Sequence, residues 1–417
     1  MDRVDLVLIR AHGLDDGLKT IPFGLLDLAS YLEKFGFEVK IIDRHGHKAL
    51  FSETLKHIKQ WNPRYVGISA ITSQAEDALK LGRYIKKRFE TPLIYGGLHF
   101  TVLPEEGLDA GNIVVRGEGE NALLEILSNT IKDRKICTAQ PIADLDSIPL
   151  PKESLIKMLA WGGVSFAILT SRGCPYSCLF CLDKKYRDNR MRYHSVGYVL
   201  DFIELIKRTL NINDFSILDD IFTINEERVF EFCNAIQKRN LKIKLDCFSR
   251  TGIDNLQMYI AMKKAGFYNI GIGIESGNND VLKAIDKRQT VQEVRRTIEI
   301  IKKAGLNISA TFMIGNITET EKTIRDTINF AKELSLWGWH IGYAQPFPGS
   351  RFYEIVPRYG TLINKNPKTY WNNKISFLPY GLAPSKLKKL RKEFFRVFNP
   401  KKPFLIKVLS KIGFKYA

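Results

Sequence analysis

The stretch Thr170-Ser-Arg-Gly-Cys-Pro-Tyr-Ser-Cys-Leu-Phe-Cys181 places three cysteines in a C-x-x-x-C-x-x-C spacing. Three thiolates can hold three irons of a four-iron cluster and leave the fourth iron open to another ligand. Buried core thiols or a zinc site would also bring cysteines together. Zinc usually takes four Cys or His ligands in paired spacings, and the remaining cysteines form no such pair: Cys137, Cys233 and Cys247. The spacing therefore favours a [4Fe-4S] cluster with three ligands: Cys174, Cys178 and Cys181.

This motif, with the aromatic Phe180 before its third cysteine, resembles that of the radical S-adenosylmethionine (SAM) enzymes. In that family the open iron binds the amino and carboxylate groups of SAM. The reduced cluster cleaves SAM to methionine and a 5′-deoxyadenosyl radical, which abstracts hydrogen from the substrate. The resemblance implies that the three cysteines are catalytic as well as metal ligands. It also implies an external electron donor of the flavodoxin or ferredoxin type.

The composition is that of an ordinary soluble protein, with 45% hydrophobic and 26% charged residues among 417. This length predicts two or three domains. No run approaches the ~18 apolar residues of a spanning helix. The segment Met1–Ile9 lacks a basic leader and a cleavable apolar core, so we interpret it as a strand and not a signal peptide. Because cysteines are few, we expect a reducing, cytoplasmic location.

Residues 1–135 alternate strand and helix signals, which predicts an α/β domain with a Rossmann-like, doubly wound parallel sheet. Ligands of such sheets bind in the loops at the carboxyl ends of the strands. The predicted strands are Asp5–Arg10, Glu38–Asp43, Tyr65–Ala70, Pro92–Gly97 and Asn112–Gly117. The predicted helices are Gly24–Phe35, Ala75–Phe89 and a helix that starts at Asn121.

Residues 136–163 hold three prolines and little periodicity, so they are interpreted as a connector. A second alternating series at 164–350 matches the partial (β/α)6 TIM-type barrel that radical SAM enzymes share, with the cysteine loop after its first strand. Residues 351–417 are expected to form a basic helical tail. The predicted strands are Ser165–Thr170, Phe215–Leu218, Lys242–Cys247, Tyr268–Glu275, Asn307–Ile314 and His340–Gln345. The predicted helices lie at 196–210, 225–239, 254–265, 291–304 and 321–334.

Polar or glycine-rich residues end successive strands of this second series. By resemblance, the acidic pair faces the SAM amine, and the Glu-Ser pair suits the ribose hydroxyls. An arginine can pair with the carboxylate, a glycine lets adenine approach the backbone, and a proline-stiffened loop flanks the base. Each signal alone also fits ordinary strand-end or cap residues. The residues predicted for SAM are Phe180, Asp219, Asp220, Arg250, Glu275, Ser276, Gly315 and Gln345.

The first domain resembles the cobalamin-binding domain that precedes the barrel in one radical SAM class, and the likeness covers residues 5–350. It lies in the segments Ile21–Leu26, Gly67–Ser73, Gly96–His99 and Val115–Glu120. Glycines there let a corrin approach the backbone, and hydroxyls can bond its amide groups. The residues predicted for cobalamin are Gly24, Ser69, Thr72, Ser73, Gly96, Gly97, His99, Gly117 and Glu118.

The D-x-H-x-x-G signature that places a histidine on cobalt is absent, and Asp43-Arg-His45-Gly46 has a different spacing. Since the radical SAM class often lacks this signature, cobalt is expected to have no protein ligand on its lower face. The alternative is a domain that has lost cobalamin and serves as a scaffold or docking module.

The net charge of +18 is concentrated at the end of the chain, where residues 386–417 hold eleven Lys and Arg against one acid, Glu393. Lys386–Phe398 can form a basic amphipathic helix, and Phe404–Ile412 makes a second such piece. This pattern suits an anionic membrane surface or an apolar substrate, and equally a helix packed on the barrel. Nucleic acid is disfavoured as a partner because no recognition module is present.

The resemblance implies a cobalamin-dependent methyltransferase, in which methylcobalamin donates a methyl group to an unactivated carbon of a small or lipid-like metabolite. Radical cyclisation or oxidation without methyl transfer is an alternative. A tRNA methylthiotransferase is disfavoured because the chain lacks three further N-terminal cysteines. A non-catalytic scaffold on a degenerate barrel is the rival from another class, and the intact cysteine triad argues against it.

Overall fold

The computed structural model describes residues 4–13, 21–47, 49–138, 140–160, 166–182, 190–372 and 374–398. The chain divides into two compact units. The first contains residues 1–164, 202–211 and 367–371, and the second contains the remainder.

The first unit is built on a parallel sheet of six strands in the order β2-β1-β3-β4-β5-β6. Its central strands are continuous apolar runs because helices cover both faces of a parallel sheet. The strands are β1 (Leu6–Arg10), β2 (Val39–Asp43), β3 (Tyr65–Ser69), β4 (Leu93–Gly96), β5 (Ile113–Arg116) and β6 (Lys135–Thr138). The helices are α1 (Phe23–Lys34), α2 (Arg44–His47), α3 (Phe51–Trp61), α4 (Ala75–Lys86), α5 (Leu98–Val102), α6 (Pro104–Ala110), α7 (Glu120–Ser128) and α8 (Glu153–Leu159). Short 3-10 turns occupy Thr72–Gln74 and Leu145–Ser147.

The second unit contains a parallel sheet of six strands in sequential order, β7-β10-β11-β12-β13-β14, which is the topology of an incomplete barrel. These strands are β7 (Phe166–Ile168), β10 (Asp214–Ile217), β11 (Lys244–Ser249), β12 (Phe267–Glu275), β13 (Asn307–Ile314) and β14 (Gly338–Tyr343). Two small antiparallel pairs accompany it: β8 (Ser171–Arg172) with β9 (Arg192–Tyr193), and β15 (Gly360–Leu362) with β16 (Phe377–Pro379).

Helices follow the strands of the second sheet, and capping groups fix several of their starts. At one of them, the Thr290 hydroxyl accepts the N–H of Glu293, whose carboxylate accepts the N–H of Thr290 in return. The helices are α9 (Val196–Leu210), α10 (Glu226–Lys238), α11 (Leu256–Lys264), α12 (Asn279–Ala284), α13 (Val291–Lys303), α14 (Glu321–Glu333), α15 (Arg351–Tyr359) and α16 (Pro384–Phe398). Phe222–Ile224 and Pro367–Asn372 are 3-10 turns.

The predicted fold class is confirmed, and several predicted elements match within one or two residues. The connector prediction is partly wrong, because β6 overlaps the start of residues 136–163 and α8 lies inside them. Strand β6 was missed because it is a polar edge strand with two exposed residues. Helix α3 was missed because its core-facing side is small, with only Thr54 and Ile58 buried.

The amphipathic helix α16 packs on the second unit. Leu387, Leu390 and Phe394 are fully buried, and the Phe394 ring lies 5.2 Å from the Phe312 ring of β13. On its polar side Lys386 pairs with Glu321 at 2.6 Å. The packed-helix alternative is therefore correct for this segment, whereas Phe404–Ile412 lies outside the described residues. No described helix combines the length and apolar character needed to cross a membrane.

Candidate functional site

The cysteine loop begins where β7 ends and is held in place by Leu179. This side chain is buried in a cluster with Ile285 and Phe352. Its N–H donates to the Ile285 carbonyl at 2.9 Å, and its carbonyl accepts the Phe352 N–H at 3.0 Å. The loop is therefore tied to α12 and α15, while the motif cysteines themselves keep intermediate exposure: Cys174, Cys178 and Cys181.

The start of the same loop is fixed by Asp219, which follows β10. One carboxylate oxygen accepts the N–H groups of Thr170 and Ser171 at 2.6 and 3.1 Å. The other accepts their hydroxyls at 2.6 and 2.7 Å. A carboxylate offers about four lone-pair sites, so this set is full. The prediction that Asp219 faces the SAM amine is therefore corrected: the residue is 1% exposed and anchors the loop. Its neighbour Asp220 is exposed.

A group of charged residues clamps the middle of the loop from the other side. The Asp286 carboxylate accepts hydrogen bonds from the Arg351 guanidinium at 2.8 Å and from the Ser177 hydroxyl at 3.3 Å. Arg351 also donates a hydrogen bond to the Ser177 carbonyl. Arg288 adds an ion pair to Asp286 at 3.0 Å. Sequence reasoning missed this clamp because it searched only strand ends. The run Asp286-Lys287-Arg288 between two helices was the available signal.

Arg250, after β11, lies against the cysteine loop. Its guanidinium carbon stands 3.8 Å from the centre of the Tyr176 ring, and Nη1 is 4.0 Å from Cys178 Sγ. Nη2 donates to the Arg288 carbonyl at 3.0 Å. These contacts use only part of the guanidinium's five donors, so some remain for the SAM carboxylate. The pairing of Arg250 with that carboxylate stays a prediction.

Glu275 ends β12 in the left-handed region of backbone space, with a φ of 68°, which is rare for a side chain larger than glycine. Its carboxylate pairs with Lys287 at 3.1 Å in a mostly buried ion pair. The Lys287 ammonium also lies 5.8 Å from the Phe180 ring. Lys287, which sequence reasoning missed, thus connects the predicted ribose acid to the aromatic residue of the cysteine motif.

Of two further residues predicted for SAM, Ser276 needs correction and Gly315 stays a prediction. Ser276 is fully buried, and its hydroxyl contacts Thr327 at 3.1 Å and accepts the Asn278 N–H at 3.2 Å. It therefore faces the protein interior and not a ligand. Gly315 has a φ of 79°, and a Cβ there would meet Leu387 of α16 at 3.0 Å. Leu387 therefore fills the side of Gly315 on which a side chain would lie, and the approach of adenine to this backbone stays a prediction.

Glu319 lies just beyond this glycine and closes the strand end. One carboxylate oxygen accepts the N–H groups of Gly315 and Asn316 at 2.5 and 2.9 Å. Complete burial raises the pKa of Glu319 to about 8, so it carries a proton at neutral pH. Two residues after the end of β14, the side-chain nitrogen of Gln345 donates to the Lys374 carbonyl at 2.8 Å. The side-chain oxygen of Gln345 is buried without a partner. This oxygen is available to a ligand donor.

The donor chemistry of the second unit fits an iron–sulfur cluster. The motif cysteines are accessible, whereas burial raises the pKa of Cys233 to about 12 and that of Cys247 well above its usual value. Only a thiolate binds iron. In the described ranges no three His, Cys, Asp or Glu side chains are arranged around a single metal ion. A four-iron cluster does not need such an arrangement, because each of its thiolates binds a different iron.

In the first unit, the predicted cobalamin residues gather at the carboxyl ends of β3 and β4. A Cβ on Gly97 would meet the Ala70 carbonyl and the Ser69 hydroxyl at 2.8 Å, and its φ of 87° also favours glycine. Thr72 and Ser73 follow in a 3-10 turn and are buried. The backbone at the ends of β3 and β4 is thus closely packed, and Gly97 leaves no space there for a side chain.

Buried polar atoms without partners mark the same edge. The Ser73 hydroxyl and His99 Nδ1 are both buried and unbonded. His99 Nε2 lies 3.4 Å from the Glu106 carboxylate, which also pairs with Lys368 at 3.1 Å. The hydrogen bond from His99 lowers the pKa of Glu106 to about 2. Since unsatisfied buried polar groups are costly, Ser73 and His99 fit a ligand that supplies hydrogen-bond partners.

The other predicted cobalamin residues differ in their surroundings. A Cβ on Gly24, at the start of α1, would meet nothing within 4 Å, and one on Gly96 would meet only Val115, near 4 Å. Gly117 has a φ of 93° and donates its N–H to Thr101 at 3.0 Å. Glu118 accepts the Ile142 N–H at 3.2 Å, which ties the connector to this loop. Gly24 and Gly96 are thus not closely packed on the side where a Cβ would lie.

Comparison with known proteins agrees with both halves of this description. The radical SAM superfamily model matches residues 168–331, and the B12 binding domain model matches residues 10–127. A protein of Pyrococcus horikoshii described as an uncharacterized methyltransferase is 31% identical, over 94% of this chain and 91% of its own length. The anaerobic magnesium-protoporphyrin IX monomethyl ester cyclase of Rubrivivax gelatinosus is 26% identical, over 78% of this chain and 65% of that protein.

Among solved structures, the radical SAM methyltransferase TsrM of Kitasatospora setae, with cobalamin and a [4Fe-4S] cluster bound, superposes with a TM-score of 0.73. The match covers 96% of this chain and 90% of that one at 15% identity, which shows a shared fold. Family models for both units and a relative matched over nearly the whole chain lead to one assignment. The chain belongs to the radical SAM enzymes that carry a cobalamin-binding domain, a family whose cofactors are a [4Fe-4S] cluster, SAM and cobalamin.

Proposed function

We propose that this enzyme transfers a methyl group from SAM, by way of cobalamin, to an unactivated carbon of a small or lipid-like metabolite. Two observations in the same chain carry the proposal. The second unit holds an anchored loop with three cysteines, and the first unit has buried polar atoms without partners at a glycine-lined sheet edge. The relative at 31% identity, described as a methyltransferase, supports it.

The cluster would be held by Cys174, Cys178 and Cys181. Around them the chain supplies rigidity, since Asp219, Leu179 and Asp286 fix the start and middle of the loop. Fixed ligands need little reorganisation when an electron arrives, which favours a cluster that cycles between charge states. An external donor of the flavodoxin or ferredoxin type would supply that electron.

SAM would lie along the strand ends of the second sheet. Asp220 would accept its amine, Glu275 its ribose hydroxyls, and the unpartnered oxygen of Gln345 a base N–H. Phe180 would pack beside it, and Arg250 retains donors for its carboxylate. When bound, the cluster supplies the electron that cleaves SAM, and cobalamin carries the methyl group.

Cobalamin would lie at the sheet edge of the first unit, against the backbone of Gly24, Gly96, Gly97 and Gly117. The hydroxyls of Ser69, Thr72 and Ser73 would bond corrin amide groups. His99 would offer Nδ1 to a corrin substituent while Glu106 holds its other nitrogen. Glu118 would act by holding the loop that carries Gly117.

The test is anaerobic reconstitution with iron and sulfide, followed by SAM and a strong reductant. We expect iron–sulfur absorbance and 5′-deoxyadenosine from the wild-type enzyme, and neither from Cys181→Ala. Cys137→Ala is the matched control, because this cysteine has similar exposure but lies outside the motif. The proposal would be abandoned if the wild-type protein bound no iron or formed no 5′-deoxyadenosine.

Radical cyclisation without methyl transfer is the second candidate, and the similarity to a named cyclase favours it. Methyl-labelled SAM separates the two, because only methyl transfer moves label into a product. Extract of the native host, fractionated and offered as substrate, should yield a labelled small molecule. Consumption of a substrate without label would favour the cyclase.

Peripheral membrane contact is proposed only for the end of the tail. The apolar side of α16 is covered by the protein, so any such contact would use residues 404–412. Vesicles with anionic lipid should retain the full chain but not a variant that ends after residue 398. Equal retention of both variants would exclude this contact.

A further inference from the structure

Arg250 places a buried cation against one cysteine of the motif. The residue is 5% exposed, and its Nη1 is 4.0 Å from Cys178 Sγ. Stacking on Tyr176 at 3.8 Å and the bond to the Arg288 carbonyl fix the plane of the guanidinium. The contact with sulfur is thus part of a braced arrangement.

A buried guanidinium requires a negative partner, because an unpaired buried charge is costly. Within the part of the chain that the structure describes, no Asp or Glu forms an ion pair with Arg250. The Cys178 thiol, which becomes an anion when it loses its proton, lies 4.0 Å from Nη1. A cluster ligand is a thiolate, so its negative charge would supply the missing counter-ion.

We infer that Arg250 sets the reduction potential of the cluster by compensating the charge of the Cys178 thiolate. One-electron reduction, with the electron from the external donor, adds a negative charge that a neighbouring cation stabilises. Hydrogen bonds to cluster sulfurs are one of the means by which proteins set such potentials. The inference rests on the proposed role of Cys178 as a cluster ligand. It adds a positioning and tuning role to a residue that the sequence associated only with SAM.

The test is a redox titration of the reconstituted cluster without SAM, followed by its electron paramagnetic resonance signal. Arg250→Gln keeps a hydrogen-bond donor but removes the charge. We expect the equilibrium constant for reduction to fall about tenfold, which for one electron is a shift of ~59 mV to lower potential. Arg250→Lys, which keeps the charge without the fork or the stack, should shift less in the same direction.

Arg295→Gln is the matched control. Arg295 pairs with Glu333 on the surface. The substitution therefore removes the same charge as Arg250→Gln without changing a contact of the cysteine loop. Its cluster should have the wild-type potential. Iron content is measured for each variant, and Arg250→Lys decides the outcome if Arg250→Gln does not retain iron.

The outcomes separate a role of Arg250 in setting the cluster potential from a role in binding SAM alone. An unchanged potential in both Arg250 variants with full iron content would overturn the inference. Weaker SAM binding with an unchanged SAM-free potential would instead show that the residue acts only on SAM. Absence of a cluster from the wild-type protein would contradict the proposed function itself, which is a different result.

Discussion

The Asp219 carboxylate accepts both the backbone N–H and the hydroxyl of Thr170, each at 2.6 Å. Thr170 precedes the first motif cysteine by four residues, and Asp219 follows the neighbouring strand. This pair, repeated at Ser171, determines how the chain leaves β7. The direction of the cysteine loop therefore depends on a residue 49 positions away along the chain.

Replacing Asp219 by Asn should weaken both the fold and the cluster site. The amide nitrogen cannot accept, so two of the four hydrogen bonds lose their acceptor. Each buried donor left unsatisfied costs about 1–3 kcal/mol. With two donors affected, denaturant unfolding of the metal-free protein should show a loss of about 2–6 kcal/mol. The iron content after reconstitution should also fall. Glu299→Gln, at an exposed carboxylate on α13, should change the unfolding free energy by less than about 0.5 kcal/mol. Equal losses in both variants would contradict the anchoring role.

The buried carboxyl of Glu319 should make stability depend on pH. Its folded-state pKa of about 8 lies above the ordinary 4.5, so the folded protein binds a proton that the unfolded chain releases. Stability is then full below about pH 4.5 and falls as pH rises towards 8. Glu319→Gln cannot lose a proton. We expect its unfolding free energy, relative to wild type, to rise by more than about 1 kcal/mol between pH 5 and 8. A constant difference across this range would refute the raised pKa.

Replacing Gly24 by Ala should separate stability from cofactor binding. A Cβ there meets nothing within 4 Å, and alanine in a helix is favoured over glycine by about 1 kcal/mol. The cofactor-free protein should therefore be more stable. If the corrin lies against this position, cobalamin binding, followed by absorbance or calorimetry, should weaken at least several-fold.

Gly97→Ala serves as the comparison for the stability and the cobalamin binding of Gly24→Ala. Its Cβ would approach the Ala70 carbonyl at 2.8 Å, so it should lose stability as well as cobalamin. Unimpaired cobalamin binding by Gly24→Ala would remove that residue from the proposed site.

Removing the Leu387 side chain should destabilise the second unit in the absence of any membrane. The residue is fully buried, and Leu→Ala changes in cores cost about 2–5 kcal/mol. We expect a loss in that range in the unfolding of the full chain. Lys389→Ala, two residues away and exposed, should have little effect. A loss of less than about 1 kcal/mol for Leu387→Ala would contradict the packing of α16.

Local patterns were enough to predict the family and most of the architecture. The cysteine spacing, the alternation of apolar strands with amphipathic helices, and the glycine-rich strand ends all lie within short segments. The parallel sheets and the family are confirmed. These features could be predicted because backbone geometry and side-chain periodicity act over a few residues.

The roles of individual strand-end residues depended on contacts between distant segments. Asp219, Ser276 and Gly315 lie at the predicted strand ends, but their partners come from the segment after β7, from α14 and from α16. Asp286 and Arg351 clamp the cysteine loop although neither lies at a strand end. Whether a polar strand end binds a ligand or a neighbouring loop depends on which groups the folded chain brings within hydrogen-bonding distance. Hydrogen bonds act over about 3 Å, and residues that are far apart in the sequence come that close only when the whole chain has folded.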